Sequence, residues 1–161
     1  MPRRRADGLG PGVSKGLASL ASRLRPRIIA TMPKGTDINK LARSDGRYHV
    51  EGFHFVGQSL SHAVKLHKRE AATGTSRHLT ARELIDGAVD LAAVRYGMLG
   101  EMVLSSWGIR RNEDLGEITF TLIEHGIFTK QPEDRVEDFA GKEPLSDAIR
   151  HCVRKRLGLD N

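Results

Sequence analysis

The chain has 161 residues, which is enough for one domain to bury its own hydrophobic core. Its only cysteine, Cys152, excludes an intramolecular disulfide and predicts a cytoplasmic protein in a reducing compartment. No apolar run approaches the roughly 20 residues of a membrane-spanning helix, and the Met-Pro-Arg-Arg-Arg start lacks the apolar stretch of a secretory signal.

Positive charge is concentrated in the first third of the chain. Residues 1–50 carry eleven Lys/Arg and three Asp/Glu, whereas residues 51–161 carry fifteen and seventeen. Residues 1–44 are also rich in Gly and Pro, so they are predicted to form a disordered basic tail. Its basic side chains are candidates for non-specific electrostatic attachment to phosphates or to an anionic membrane surface. They are Arg3, Arg4, Arg5, Arg23, Arg25, Arg27 and Lys34.

Two features of this tail leave alternatives open. Val13, Leu17, Leu20 and Leu24 share one helical face, which is the pattern of a short amphipathic helix at a membrane surface. Met32 is an alternative translation start that would remove most of the tail.

Residues 45–161 are predicted to form a single helical domain. Its first helix is expected over residues 52–72. Thr80 and Glu83 have the spacing of a capping box, and they begin a second helix that ends before Gly97. A third helix over residues 98–106 is expected to turn Met98 and Met102 toward the core.

The pattern changes in the last third of the chain. Asn112 is expected to cap a helix over residues 113–125, and a helix over residues 145–157 is expected to close the domain. Between them, residues 127–130 and 135–139 flank a Pro-containing turn, which predicts a β-hairpin. Helices over 80–96, 98–106 and 113–125 followed by a hairpin have the order of a winged helix. The predicted fold class is therefore mainly α, a compact helical domain with one short hairpin and a winged-helix-like alternative.

Several short runs carry a family resemblance. They are Arg47-Tyr48-His49, Arg77-His78-Leu79-Thr80, Trp107-Gly108-Ile109, Glu113-Asp114-Leu115-Gly116-Glu117-Ile118 and Glu137-Asp138-Phe139. Read in this order, the chain resembles a family of uncharacterised proteins restricted to Planctomycetes and Verrucomicrobia. Leu115 stands where that family usually has Phe, and the N-terminal tail is an addition. The resemblance implies a bacterial cytosolic protein, and it implies no activity, cofactor or catalytic residue.

The spacing of reactive side chains favours binding over catalysis. The seven histidines include no His-Glu-x-x-His, and no Cys pair accompanies them, so no metal or cofactor is predicted. Cys152 lies on an apolar helical stripe and is predicted to be an inert thiol. Glu113, Asp114 and Glu117 are predicted to be a solvated helix face rather than an acid–base pair.

The predicted function is therefore a non-enzymatic binding or adaptor module for a protein or ribonucleoprotein partner. Its candidate partner surface consists of Trp107, Glu113, Asp114 and Glu117. Because the helix over 113–125 carries no Lys or Arg, nucleic acid is expected to contact residues 1–44 only. A winged-helix-like nucleic-acid binder is one alternative. The other is an enzyme of unknown reaction, with a site formed by Tyr48, His49, Arg77 and His78.

Overall fold

A computed structural model describes residues 28–30, 37–68 and 78–159 of the chain. The tail cations from Arg3 to Lys34, the amphipathic stripe from Val13 to Leu24, and Arg77 lie outside the described residues.

The described chain is mainly helical, as predicted. Two 3-10 turns are also present: Gly97–Leu99 lies between two α-helices, and Val136–Phe139 precedes the last one. Two short strands, β1 (Ile29–Ala30) and β2 (Phe128–Thr129), complete the fold. The helices are α1 (Ile38–Asp45), α2 (Val50–Leu66), α3 (Ala81–Tyr96), α4 (Gly100–Ser106), α5 (Asn112–Glu124) and α6 (Leu145–Arg156). None of the helices in this part of the chain has both the length and the apolar character needed to cross a membrane.

Helix α2 is central to the core and packs on α1, α3 and α5. Its Phe53, Phe55 and Leu60 are each no more than 2% exposed. Across the α2–α3 contact, Gly87 lies so close to Ala63 that a side chain would have no room. The helices are antiparallel, because residues of increasing number along α2 meet residues of decreasing number along α3.

The predicted capping box at the start of α3 is confirmed. The Thr80 hydroxyl accepts the Glu83 backbone N–H at 3.1 Å, and the Glu83 carboxylate accepts the Thr80 backbone N–H at 2.8 Å. The start of α5 differs from the prediction. Asn112 is the first helical residue, and its side chain donates to the Glu143 carbonyl at 2.9 Å, so it does not cap the helix.

The predicted boundary between residues 44 and 45 is wrong, because α1 belongs to the folded unit. Asp37 caps its first turn, and Gly46 ends it with φ of +70°. Leu41 and Ala42 are buried against the rest of the core. The described fold also includes Ile28, whose backbone pairs with that of Leu79.

The predicted hairpin is also wrong. β2 pairs with β1 in antiparallel register, with Ile29 opposite Thr129 and Ala30 opposite Phe128. The second predicted arm, residues 135–139, contains a 3-10 turn instead. Asp138 accepts the Arg135 backbone N–H at 2.9 Å, and Phe139 is fully buried against Gly116 of α5. This segment therefore supplies no wing.

The inward orientation predicted for Met98 and Met102 is wrong as well. Their side chains are 59% and 69% exposed, whereas Leu104 of the same segment is 1% exposed. The 3-10 turn before α4 changes the helical phase, so the core contacts are made by Gly100 and Leu104.

Candidate functional site

The beginnings of α2 and α5 meet through side chains that lie far apart in the sequence. The Tyr48 hydroxyl lies 3.1 Å from Asp114 Oδ1 and 2.9 Å from Glu117 Oε2. Arg47 Nη1 donates to Glu117 Oε2 at 2.5 Å, and Nη2 donates to Asp45 Oδ1 at 2.6 Å. The structure thus brings together the Arg-Tyr-His run and the acidic start of α5.

The electrostatics of this junction favour a structural role. Burial raises the pKa of Tyr48, and the hydrogen bond to Glu117 and the negative charge of Asp114 raise it further. The phenol therefore remains neutral and acts as a hydrogen-bond donor, not as a general base. The two carboxylates hold the start of α2 against the start of α5.

The side-chain hydrogen bonds at the start of α5 come from Asp114 and not, as predicted, from Asn112. The Asp114 Oδ2 atom accepts the backbone N–H groups of Arg110 and Arg111, each at 2.8 Å. With 7% of its surface exposed, Asp114 is not part of a solvated face, so that prediction is wrong for this residue. Glu113 and Glu117 are half-buried.

Trp107, the other member of the predicted partner surface, is half-buried among aromatic rings. Its ring centroid lies 5.8 Å from that of Phe55 and 5.9 Å from that of Tyr96. Its carbonyl accepts the His49 backbone N–H at 3.0 Å. Trp107 therefore fixes the α4–α5 turn against α2, and it is also one of the residues that line an adjacent cleft.

Among the described residues, Tyr48 and His49 of the alternative enzymatic site do not come together with His78. Tyr48 and His49 precede α2, whereas His78 precedes α3. Because α2 and α3 are antiparallel, His78 lies near the far end of α2. The 17 residues of α2 span about 25 Å at 1.5 Å per residue. Arg77 lies outside the described residues.

An open cleft of about 660 Å³ separates the start of α2 from the α4–α5 turn. We call it the arginine cleft and define it by the side chains of Arg43, Arg47, His49, Trp107 and Arg110, which line it. The His49 Nδ1 atom accepts the Glu51 backbone N–H at 3.3 Å, which caps α2. Among the described residues, no carboxylate side chain lines this cleft.

Two of its arginines form no ion pair among the described residues, although the charge of Arg43 helps to lower the pKa of Asp37. Arg47 is neutralised by Asp45 and Glu117. Arg43 and Arg110 are exposed, and neither forms an ion pair with another residue in the described parts of the chain. The sequence pattern missed both as site residues, because Arg43 was assigned to the tail and Arg110 follows the Trp-Gly-Ile run. Adjacent Arg110 and Arg111 were the available signal.

A second polar cluster joins α2, α3 and α6. Asp90 accepts from His62 Nε2 at 2.7 Å and from Arg156 Nη2 at 2.5 Å. Burial acts to raise the pKa of Asp90, but the hydrogen bonds and charges of Arg156 and His62 outweigh it and lower that pKa. Cys152 Sγ lies 3.7 Å from the same carboxylate.

This cluster does not activate the cysteine. Burial raises the pKa of the Cys152 thiol, and the Asp90 charge adds to the effect against the opposing contribution of Arg156. The thiol therefore stays protonated at neutral pH and is a poor nucleophile. No group of three or more metal-ligating side chains occurs within residues 28–30, 37–68 and 78–159.

Comparisons with known proteins do not identify a family for this chain. No protein-family model, no curated protein and no solved structure matches the chain. The resemblance to the family from Planctomycetes and Verrucomicrobia therefore remains a prediction from the quoted motifs.

Proposed function

We propose that this chain is a non-enzymatic binding module of the bacterial cytoplasm that docks on a ribonucleoprotein through the arginine cleft. The observation that carries the proposal is the pair of unpaired cations, Arg43 and Arg110, at a cleft without a carboxylate among the described residues. Phosphate oxygens of an RNA backbone are suitable partners for such guanidinium groups.

The shape and composition of the cleft suit a single-stranded segment. It is open to solvent, and the half-buried Trp107 is one of the residues that line it. Unstacked RNA bases bind to proteins by stacking on aromatic side chains, while arginines hold the backbone. The predicted tail cations, Arg3 to Arg5 in particular, would add attraction that does not depend on base sequence. The proposal therefore extends nucleic-acid contact beyond residues 1–44.

The negative charges of α5 disfavour the winged-helix-like alternative. In that alternative, α5 would enter the major groove of a duplex. Its first turns carry Glu113, Asp114 and Glu117, and the helix has no Lys or Arg. Carboxylates at that position would repel the phosphates, so we place the RNA contact beside α5 and not along it.

The enzymatic alternative has less support. Tyr48 and His49 are engaged in helix-joining and capping contacts, and His78 lies at the other end of α2. A catalytic site needs its groups within hydrogen-bond reach of one reacting centre.

The test of this proposal is the binding of a fluorescent single-stranded RNA oligonucleotide to the full chain. Binding is measured by fluorescence anisotropy at two salt concentrations. Arg43→Glu and Arg110→Glu are each expected to weaken binding about tenfold at low salt and to reduce its salt dependence. Arg135→Glu is the matched control, since it makes the same charge change at an exposed position outside the cleft.

Three outcomes would contradict the proposal. The cleft variants could bind RNA as well as the control does, or the wild-type chain could bind only anionic vesicles. The third outcome comes from a pulldown. If forms starting at Met1 and at Met32 both capture the same protein after nuclease treatment, RNA is not the contact.

A further inference from the structure

A second cleft, of about 470 Å³, lies between α2 and the last turns of α3 and α5. We call it the apolar cleft and define it by its floor and its rim. Every floor side chain is buried, at no more than 5% exposure: Phe53, Leu91, Leu122, Ile127 and Phe128. The rim carries His54, His62, Lys65 and Arg95. Its volume is within the range of small-molecule sites in proteins, which is about 300–1,000 Å³.

The rim is cationic. No carboxylate lines the apolar cleft among the described residues. The Arg95 guanidinium donates to the neutral Gln58 side chain, and it forms no ion pair with a carboxylate in the part of the chain that the structure describes. His62 differs, since its Nε2 atom is bound to Asp90 behind the rim. Lys65 lies two helical turns beyond Gln58, at the other end of the opening.

Gly57 leaves the middle of this cleft open. It is a helical residue of α2 that lines the cleft, and a Cβ atom added to it would meet no heavy atom within 4 Å. Because Gly57 lines the cleft and the space around an added Cβ atom is open, we expect a larger side chain in its place to occupy part of the cleft. Helix propensity favours almost any other residue here by up to about 1 kcal/mol relative to glycine, so the helix itself does not require this glycine.

We propose that the apolar cleft binds an amphipathic small-molecule anion. The apolar chain of the ligand lies on the Phe53–Leu122–Phe128 floor, and its carboxylate or phosphate head contacts Arg95. Arg95 is the better anchor of the two formal rim cations because its planar guanidinium holds an oxyanion with two parallel hydrogen bonds. Lys65 contributes a more distant positive field.

Dodecanoate, kept below its micelle concentration, is the probe, and dodecylammonium is the matched cation with the same chain. Titration calorimetry of the full chain is expected to show dodecanoate binding at least about tenfold more tightly than dodecylammonium. Arg95→Gln is expected to abolish most of that preference. Dodecyl phosphate, run in parallel, distinguishes a phosphate head from a carboxylate head.

A pair of substitutions at Gly57 tests the location. Gly57→Leu is expected to weaken dodecanoate binding about tenfold or more by filling the cleft, whereas Gly57→Ala leaves affinity within about twofold. Thermal unfolding confirms that both variants fold. Equal binding of dodecylammonium, undiminished binding by Gly57→Leu, or no binding of either anion would overturn the proposal.

Discussion

Replacement of the glycine at the α2–α3 contact should destabilise the protein, whereas replacement of a second glycine on α2 should not. A Cβ atom at Gly87 would lie 2.4 Å from the Ala63 Cβ, 2.9 Å from its Cα and 3.0 Å from the Ser59 carbonyl oxygen. Carbon atoms pack at about 3.5–4.0 Å, so Gly87→Ala must push the two helices apart by about 1 Å. Since two of these neighbours are backbone atoms, rotation of a side chain cannot relieve the clash.

The change in the free energy of unfolding caused by Gly87→Ala follows from two opposing contributions. Overpacking of a core costs about 1–3 kcal/mol, and the backbone clash places this site near the upper end. Alanine regains about 1 kcal/mol of helix propensity over glycine. Gly87→Ala is therefore expected to lower the free energy of unfolding by about 2 kcal/mol. For a chain of this size the midpoint of thermal unfolding should fall by about 4–8 °C.

The matched control is the same substitution at Gly57, where the added methyl group meets nothing. There the propensity gain stands alone, so the midpoint should rise by about 2–4 °C. Both variants can be followed by circular dichroism of the full chain in the absence of ligand. Opposite signs at the two sites would support the close helix contact. A rise in stability for Gly87→Ala, or equal shifts at both sites, would refute it.

Three further predictions concern the polar cluster and the surface. Because the pKa of Asp90 is lowered in the folded state, its contribution to stability is complete above its ordinary value of 3.8 and is lost as pH falls through the lower folded value. The free energy of unfolding, measured with urea from pH 7 to pH 3, should therefore fall less steeply with acid in Asp90→Asn than in the wild-type chain. The same substitution should lower that free energy by about 1–2 kcal/mol at pH 7. An unchanged pH profile would contradict this prediction. Cys152, with a raised thiol pKa, should react with iodoacetamide at neutral pH more slowly than free cysteine does, and full reactivity would show an accessible thiolate. Met102→Lys should change stability by less than about 0.5 kcal/mol, whereas Leu104→Lys should prevent folding; a large cost at Met102 would restore the inward orientation that the sequence suggested.

Local signals were sufficient for helices α3 to α6, whereas α1 was assigned to the tail and α2 was predicted to continue beyond its end at Leu66. The Thr80–Glu83 capping box and the apolar stripe of α6 lie within one or two turns of chain, so their physical causes can be read from neighbouring residues. The helix ending near Gly126 was predictable for the same reason, since that glycine adopts a φ of +72°.

The candidate site depended on contacts between distant residues. Tyr48 meets Asp114 and Glu117 only because α2 and α5 pack at their beginnings, and no local pattern encodes that pairing. Arg43 and Arg110 line one cleft for the same reason, although they are 67 positions apart in the sequence.

The sequence by itself determined that this protein is helical, where most helices begin and end, and that its charge is uneven. Only the tertiary structure decided which strand pairs with 128–129, which methionines are exposed and which glycine the α2–α3 contact requires. The physical reason is the distance along the chain over which each feature is determined. Caps and helical periodicity depend on residues within about four positions, whereas strand partners and burial depend on which surfaces remain to be covered once the helices have packed.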